Sequence, residues 1–146
     1  LTGETHAGVE LHGFLSYLFK SAYYKQKYYI YGYKGKQVRD NLSSHDVSTI
    51  IWELYSKPSI PGEVFNIGGG RESNVSVLEA INKCESITKN KFNFKFVNTE
   101  RSGDHKFWIT NMKKFKTRYP KWKIKYRIDD ILLQMLDYEN FRTSHK

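Results

Sequence analysis

The sequence predicts an α/β fold, and three observations carry the prediction. Short apolar or alternating runs recur at 28–31, 63–67, 92–96 and 107–109, the signature of strands. Between them lie segments whose apolar residues repeat every three or four positions, at 11–22, 47–55, 77–84 and 131–136, the signature of amphipathic helices. Caps, glycines and prolines punctuate the joins, and strands alternating with helices indicate α/β architecture. At 146 residues the chain is one domain or one lobe of a larger one. It holds too few strand–helix–strand units for a complete doubly wound sheet.

Taken in order, Leu11, Phe14, Leu15, Leu18, Phe19 and Ala22 form a helical stripe within 9–24. Tyr28 to Tyr31 reads as a strand that stops at Gly32. A second extended stretch starts at Gly35 and runs through Val38 to Leu42. Ser43 and Asp46 stand at capping-box spacing before Val47, Ile50, Ile51, Leu54 and Tyr55, and Pro58 and Pro61 end that helix. Glu63 to Ile67 predicts a strand entering Gly68-Gly69-Gly70. Ser76 and Glu79 form a second capping box, followed by Val77, Leu78, Ile81 and Cys84. Phe92, Phe94 and Phe96 alternate with polar residues, as in a half-buried strand. Arg101 to Asp104 is a loop, Phe107 to Ile109 a short strand, and Asn111 a cap for a short helix broken by Pro120. Asp129 and Asp130 place negative charge at the start of a last helix, and the tail from Thr143 to Lys146 is expected to fray.

Composition narrows the function. No apolar run approaches the roughly 18 residues of a membrane span, and there is no signal-peptide pattern. The single cysteine, Cys84, excludes an internal disulfide and suits a reducing compartment. The first residue is Leu1, and Thr2-Gly3 reads like a strand end, so an N-terminal part is expected upstream. The net charge of +9 and the Tyr/Lys run Tyr23 to Tyr31 raise the alternative of a stand-alone basic module that binds nucleic acid, through stacking and phosphate contact, or an acidic partner. Lysine is scattered rather than blocked, which favours an anionic small ligand.

Two motifs carry chemistry. Gly35-Lys36-Gln37-Val38-Arg39-Asp40 and Arg101-Ser102-Gly103-Asp104 each set an arginine beside turn-forming residues. Two guanidinium groups, planar and always charged, can grip one diphosphate, and Asp104 can accept hydrogen bonds from a ribose. Singly, Arg39 is better explained by an ion pair with Asp40 or Asp46, and Arg101 by a surface loop charge. Jointly, in a strand–glycine–helix context, they point to a shared anion. The triple glycine lacks the Lys-Ser/Thr of a Walker loop and the spacing of a dinucleotide fold, so a tight turn is the better explanation. The five histidines, His6, His12, His45, His105 and His145, have no metal-ligand spacing. His12, in a helix's first turn, faces either an anion or solvent. No Ser-His-Asp, Cys-His, paired-carboxylate or Tyr-x-x-x-Lys set stands in a catalytic context, so no catalytic residue and no metal ligand is assigned.

Tyr31-Gly32, Gly35 to Asp40, His45-Asp46-Val47, Val64 to Gly70, Ser76 to Glu79, Arg101 to Asp104 and Trp122-Lys123, in this order, resemble the extended short-chain dehydrogenase/reductase family of nucleotide-sugar epimerases and dehydratases. Leu11-His12-Gly13-Phe14-Leu15 and the intact Gly35-to-Asp40 motif look like its CDP-paratose 2-epimerase (CDP-tyvelose epimerase) branch. The resemblance implies the C-terminal substrate-binding lobe of an NAD(P)-binding Rossmann-like enzyme, with most of the Rossmann sheet absent. It makes 1–142 a nucleotide-sugar-binding lobe and 143–146 its tail, in a cytoplasmic protein that forms a homodimer at full length. NAD is the cofactor of such enzymes, held by the upstream Rossmann domain. A nucleotide-diphosphate sugar is the ligand. By the same resemblance Arg39 and Arg101 grip the diphosphate, Asp104 binds the ribose, and Tyr29 and Tyr31 lie along the base. Leu11 and His12 belong to a helix start that faces phosphate. The cofactor loop and the catalytic Tyr/Lys pair of the family are missing, which implies a lobe inactive alone. Asn41-Leu42-Ser43-Ser44 also departs from the commoner hydrophobic version of that strand.

Overall fold

Leu15, Leu18, Phe19 and Ala22, one face of the first helical stripe, are buried together, and the fold grows outward from them. The structure, a computed structural model, describes residues 1–6, 8, 9, 13–58 and 60–145. Helix α1 (Phe14–Tyr23) follows Gly13, whose φ of 71° turns the chain into it. Strand β1 (Tyr28–Tyr31) comes next and buries Tyr28 and Ile30. A 3-10 turn at Tyr33–Gly35 leads into β2 (Val38–Asp40) and then α2 (Ser44–Ser56). The order continues with β3 (Asn74–Ser76), α3 (Val77–Thr88), β4 (Phe94–Val97), β5 (Phe107–Trp108), α4 (Lys113–Arg118) and α5 (Ile128–Ser144).

Two small sheets form. β1 pairs with β4 in parallel, from Tyr28↔Phe94 to Tyr31↔Val97. β2 is the centre of a three-stranded sheet, antiparallel to β3 and parallel to β5. One apolar cluster gathers α1, β1, α3 and α5 around Leu18, Phe19, Ile81, Ile131 and Leu132. A second gathers α2 and α4 with Phe115, Tyr119, Trp122 and Ile124. This is the α/β architecture expected of the sequence.

Several elements differ from expectation for identifiable reasons. The stretch 63–67 joins no ladder among the described residues. Its alternation is real, since Phe65 and Ile67 pack against the second cluster while Val64 is exposed. Alternation reports which face is buried and is silent about a hydrogen-bonded neighbour. The strand lies past the glycines, at β3. Phe92 sinks into the first cluster and β4 starts two residues later, leaving Phe94 and Phe96 partly exposed on its edge.

Ser43 caps α2, its Oγ accepting from His45 N at 3.2 Å, yet Asp46 does not close the box. It is buried and accepts from Lys125 N at 3.1 Å and Tyr126 N at 3.0 Å, two amides that the irregular approach to α5 leaves without a ladder. At α3 the box is complete: Ser76 N donates to Glu79 Oε2 and Glu79 N to Ser76 Oγ. Asn111 accepts from Lys113 N at the start of α4. Helix α5 continues through Thr143 and Ser144 instead of fraying at 143. Thr143 Oγ1 donates back to Glu139 O at 2.8 Å, and buried Glu139 accepts from Tyr24 OH at 2.6 Å and Arg142 Nε at 3.0 Å, which ties this turn to the end of α1.

Candidate functional site

Side chains alternate along an extended chain, and β2 with the residue before it uses that alternation to separate two tasks. Gln37 and Arg39 reach one cleft. Asp40 serves the fold: its Oδ2 accepts from Gly70 N at 2.8 Å and from Thr110 N at 3.0 Å. One carboxylate thus fastens β2 to the glycine turn and to the segment after β5.

The cleft is open to solvent and lined by Tyr29, Tyr31, Gln37, Arg39, Arg101 and Asp104, with Phe14, Tyr28, Ile30 and Val77 as its apolar floor. The loop at 101–104 turns on a bond from Asp104 N to Arg101 O at 3.1 Å, with Gly103 at φ 76°. Arg39 Nη2 donates to Asp104 Oδ1, which also accepts from His105 N at 3.1 Å. Arg39 Nη1 donates to the carbonyl of Val38 at 2.8 Å. The Arg101 guanidinium lies 4.1 Å from the centroid of the Tyr31 ring, a cation–π distance. The side chains of Arg39 and Asp104 are 20% and 26% exposed, so their charges act in a medium less screening than bulk water.

The residues singled out in the sequence therefore converge. Tyr29, Tyr31, Arg39, Arg101 and Asp104 share one cleft, while Leu11 and His12 lie outside the described residues. Arg39 pairs with Asp104 across 65 positions of sequence rather than with Asp40 or Asp46, and Arg101 covers an aromatic ring rather than standing alone on a loop. The sequence did not single out Gln37. Its signal was present in the two-residue spacing to Arg39, which sets both on one face.

The triple glycine is a packing turn. A Cβ on Gly69 would sit 2.1 Å from Asn41 O and 2.4 Å from Ser73 O, and the Gly70 amide already donates to Asp40. The close approach of backbone at Gly69 and the commitment of the Gly70 amide to Asp40 give this turn a packing role. Part of the Tyr/Lys run is spent on structure: Tyr23 OH and Tyr24 OH bond Asn140 and Glu139 on α5, and Tyr28 is in the core. Among the described residues no three His, Cys, Asp or Glu side chains gather at metal-binding distance, and no helix is long and apolar enough to cross a membrane.

No family model matches the sequence. The chain is 30% identical over 106 residues to the CDP-paratose 2-epimerase of Salmonella typhi, covering 71% of this chain and 30% of that protein. In three dimensions it matches UDP-glucuronic acid 4-epimerase from Bacillus cereus, solved with UDP-glucuronic acid and NAD. There the TM-score is 0.75 at 24% identity, over 88% of this chain and 40% of that one. It also matches dTDP-glucose 4,6-dehydratase from Bacillus anthracis, solved with NAD, with a TM-score of 0.73 at 23% identity, over 90% of this chain and 40% of that one. The chain thus spans well under half the length of these relatives. In fold and in sequence it matches the C-terminal part of the NAD-dependent nucleotide-sugar epimerases and dehydratases, the extended short-chain dehydrogenase/reductase family.

Proposed function

We propose that this chain holds the nucleoside diphosphate of a nucleotide sugar in the cleft between β2 and the loop at 101–104. The observation that carries the proposal is the convergence of Arg39 and Arg101, 62 positions apart in sequence, on one cleft. A diphosphate presents oxygens on two adjacent phosphorus atoms, and two guanidinium groups can meet both at once. Its oxygens compete with Asp104 for Arg39 and draw Arg101 from the face of Tyr31, which then opens to a base. Asp104, released from Arg39, becomes an acceptor for ribose hydroxyls.

Redox chemistry at the sugar is supplied by NAD when bound. In this reading hydride and proton transfer are assigned to groups outside these residues. In this proposal the chain is the ligand-holding lobe of an epimerase acting on a nucleotide sugar, completed by an NAD-binding domain.

Calorimetric titration with CDP, UDP and GDP tests it. Binding of at least one, weakened in both Arg39→Ala and Arg101→Ala, is expected. No binding of any of the three, or binding untouched by both substitutions, overturns it.

A further inference from the structure

Gln37 has no role in the ligand grip described above. It is 7% exposed and lines the cleft beside Tyr31, Arg39 and Arg101. Its Nε2 donates to the carbonyl oxygen of Tyr31 at 3.1 Å. That bond settles which end of the carboxamide is which, because a carbonyl accepts and never donates. The other end, Oε1, is buried with no hydrogen-bond partner among the described residues. Buried acceptors are nearly always satisfied, and an orphan calls for an explanation.

The orphan's chemistry selects the kind of group that completes it. A diphosphate offers only acceptors and is repelled by Oε1. A ribose hydroxyl can donate, but the cleft already holds a charged acceptor for it in Asp104. The base remains: cytosine offers its amino N–H and uracil its ring N–H. A neutral planar amide anchored to the backbone of β1 matches such an edge without a net charge to desolvate.

We propose that Gln37 is a specificity-determining residue whose Oε1 accepts a hydrogen bond from an N–H on the base edge of the bound nucleotide. The inference rests on the nucleoside-diphosphate function proposed above and adds the contact that distinguishes base from backbone. A base edge that presents only acceptors at this point is rejected, since it would leave Oε1 unpaired against a second lone pair.

The test is titration of the chain and its Gln37→Met variant with four probes: inorganic pyrophosphate, ribose 5-diphosphate, CDP and UDP. Gln37→Met is expected to weaken the better-bound of CDP and UDP roughly tenfold, the worth of one net hydrogen bond. Pyrophosphate and ribose 5-diphosphate should bind the variant as they bind the parent, which also shows that the variant is folded. An equal loss for ribose 5-diphosphate assigns the donor to the sugar and overturns the base contact, as does undiminished CDP and UDP binding. Failure of every probe to bind the parent chain overturns the diphosphate function itself, and the inference with it. The side-chain amide signal of Gln37 in the parent chain gives a reading that needs no variant. It should shift on adding CDP or UDP and stay in place with ribose 5-diphosphate. A signal unmoved by either nucleotide, where that nucleotide binds, overturns the inference.

Discussion

Arg39 and Asp104 close an ion pair across the cleft, strand to loop, through Nη2 and Oδ1. The pair keeps the principal cation of the cleft neutralised until a stronger anion arrives. Asp104→Asn removes the competing charge but keeps an acceptor. Pyrophosphate should therefore bind the variant more tightly than the parent, by roughly three- to tenfold. A nucleoside diphosphate should gain less, because an amide oxygen is a poorer acceptor for ribose hydroxyls than a carboxylate. Calorimetry with the two ligands in parallel reads the difference. Equal gains would show that Asp104 does not meet the ribose.

Arg39→Ala should cost more than Arg101→Ala. The first loses a charged contact to the diphosphate and leaves Asp104 facing it uncompensated. The second loses one charged contact and frees Tyr31. Losses of about 3 and about 1.5 kcal/mol are expected, roughly 150-fold and roughly tenfold in Kd. The double variant Arg39→Ala with Asp104→Asn should recover part of the first loss, and a double-mutant cycle measures how much.

Asp40 supports the fold rather than the ligand. Its Oδ2 receives two backbone N–H groups, from Gly70 and Thr110. Asp40→Ala should lower stability by at least about 2 kcal/mol, since hydrogen bonds to a charged group contribute about 1.5–3 kcal/mol each and the orphaned amides add their own cost. Urea unfolding followed by circular dichroism measures it. Asp40→Asn should cost less, since one oxygen remains to accept.

The capping box of α3 makes stability depend on pH. The Ser76 amide, then the Ser76 hydroxyl, with the charge of Lys83 nearby, hold the Glu79 carboxyl below its usual range against a smaller opposing effect of burial. A depressed folded pKa means that ionised Glu79 adds stability above its ordinary pKa and that this stability fades as pH falls through the folded value. The gap between the parent chain and Glu79→Gln should be widest near neutrality and close below about pH 4. Ser76→Ala, which removes the cap itself, should cost about 1 kcal/mol at neutral pH. Thermal melts across an acid series give both numbers.

Local signals carried much of this structure, and each failure has a physical cause. The helix of Leu15, Leu18, Phe19 and Ala22 and the capping box of Ser76 and Glu79 were legible because their determinants lie within a few residues. The strand expected at 63–67 was not found, because whether an extended segment is paired depends on what lies beside it in space. Asp46 stands at the capping-box position in α2, yet two amides nearly 80 positions away claim its carboxylate. Arg39 and Arg101 were singled out by residue type, but the identity of the group each contacts, Asp104 and Tyr31, is a long-range fact. Gln37 was passed over because a glutamine in a sequence carries no sign of whether both ends of its amide are satisfied.

The four residues from Gln37 to Asp40, β2 and the position before it, give the protein two settings. Positions 37 and 39 face the cleft, while Asp40 at the neighbouring position holds the chain together. A library that randomises 37 and 39 and leaves 38 and 40 alone should explore ligand preference on an unchanged scaffold. One that randomises 38 and 40 should instead sort variants by whether they fold. The same short strand therefore offers a route by which new ligand preferences can arise without passing through unfolded intermediates.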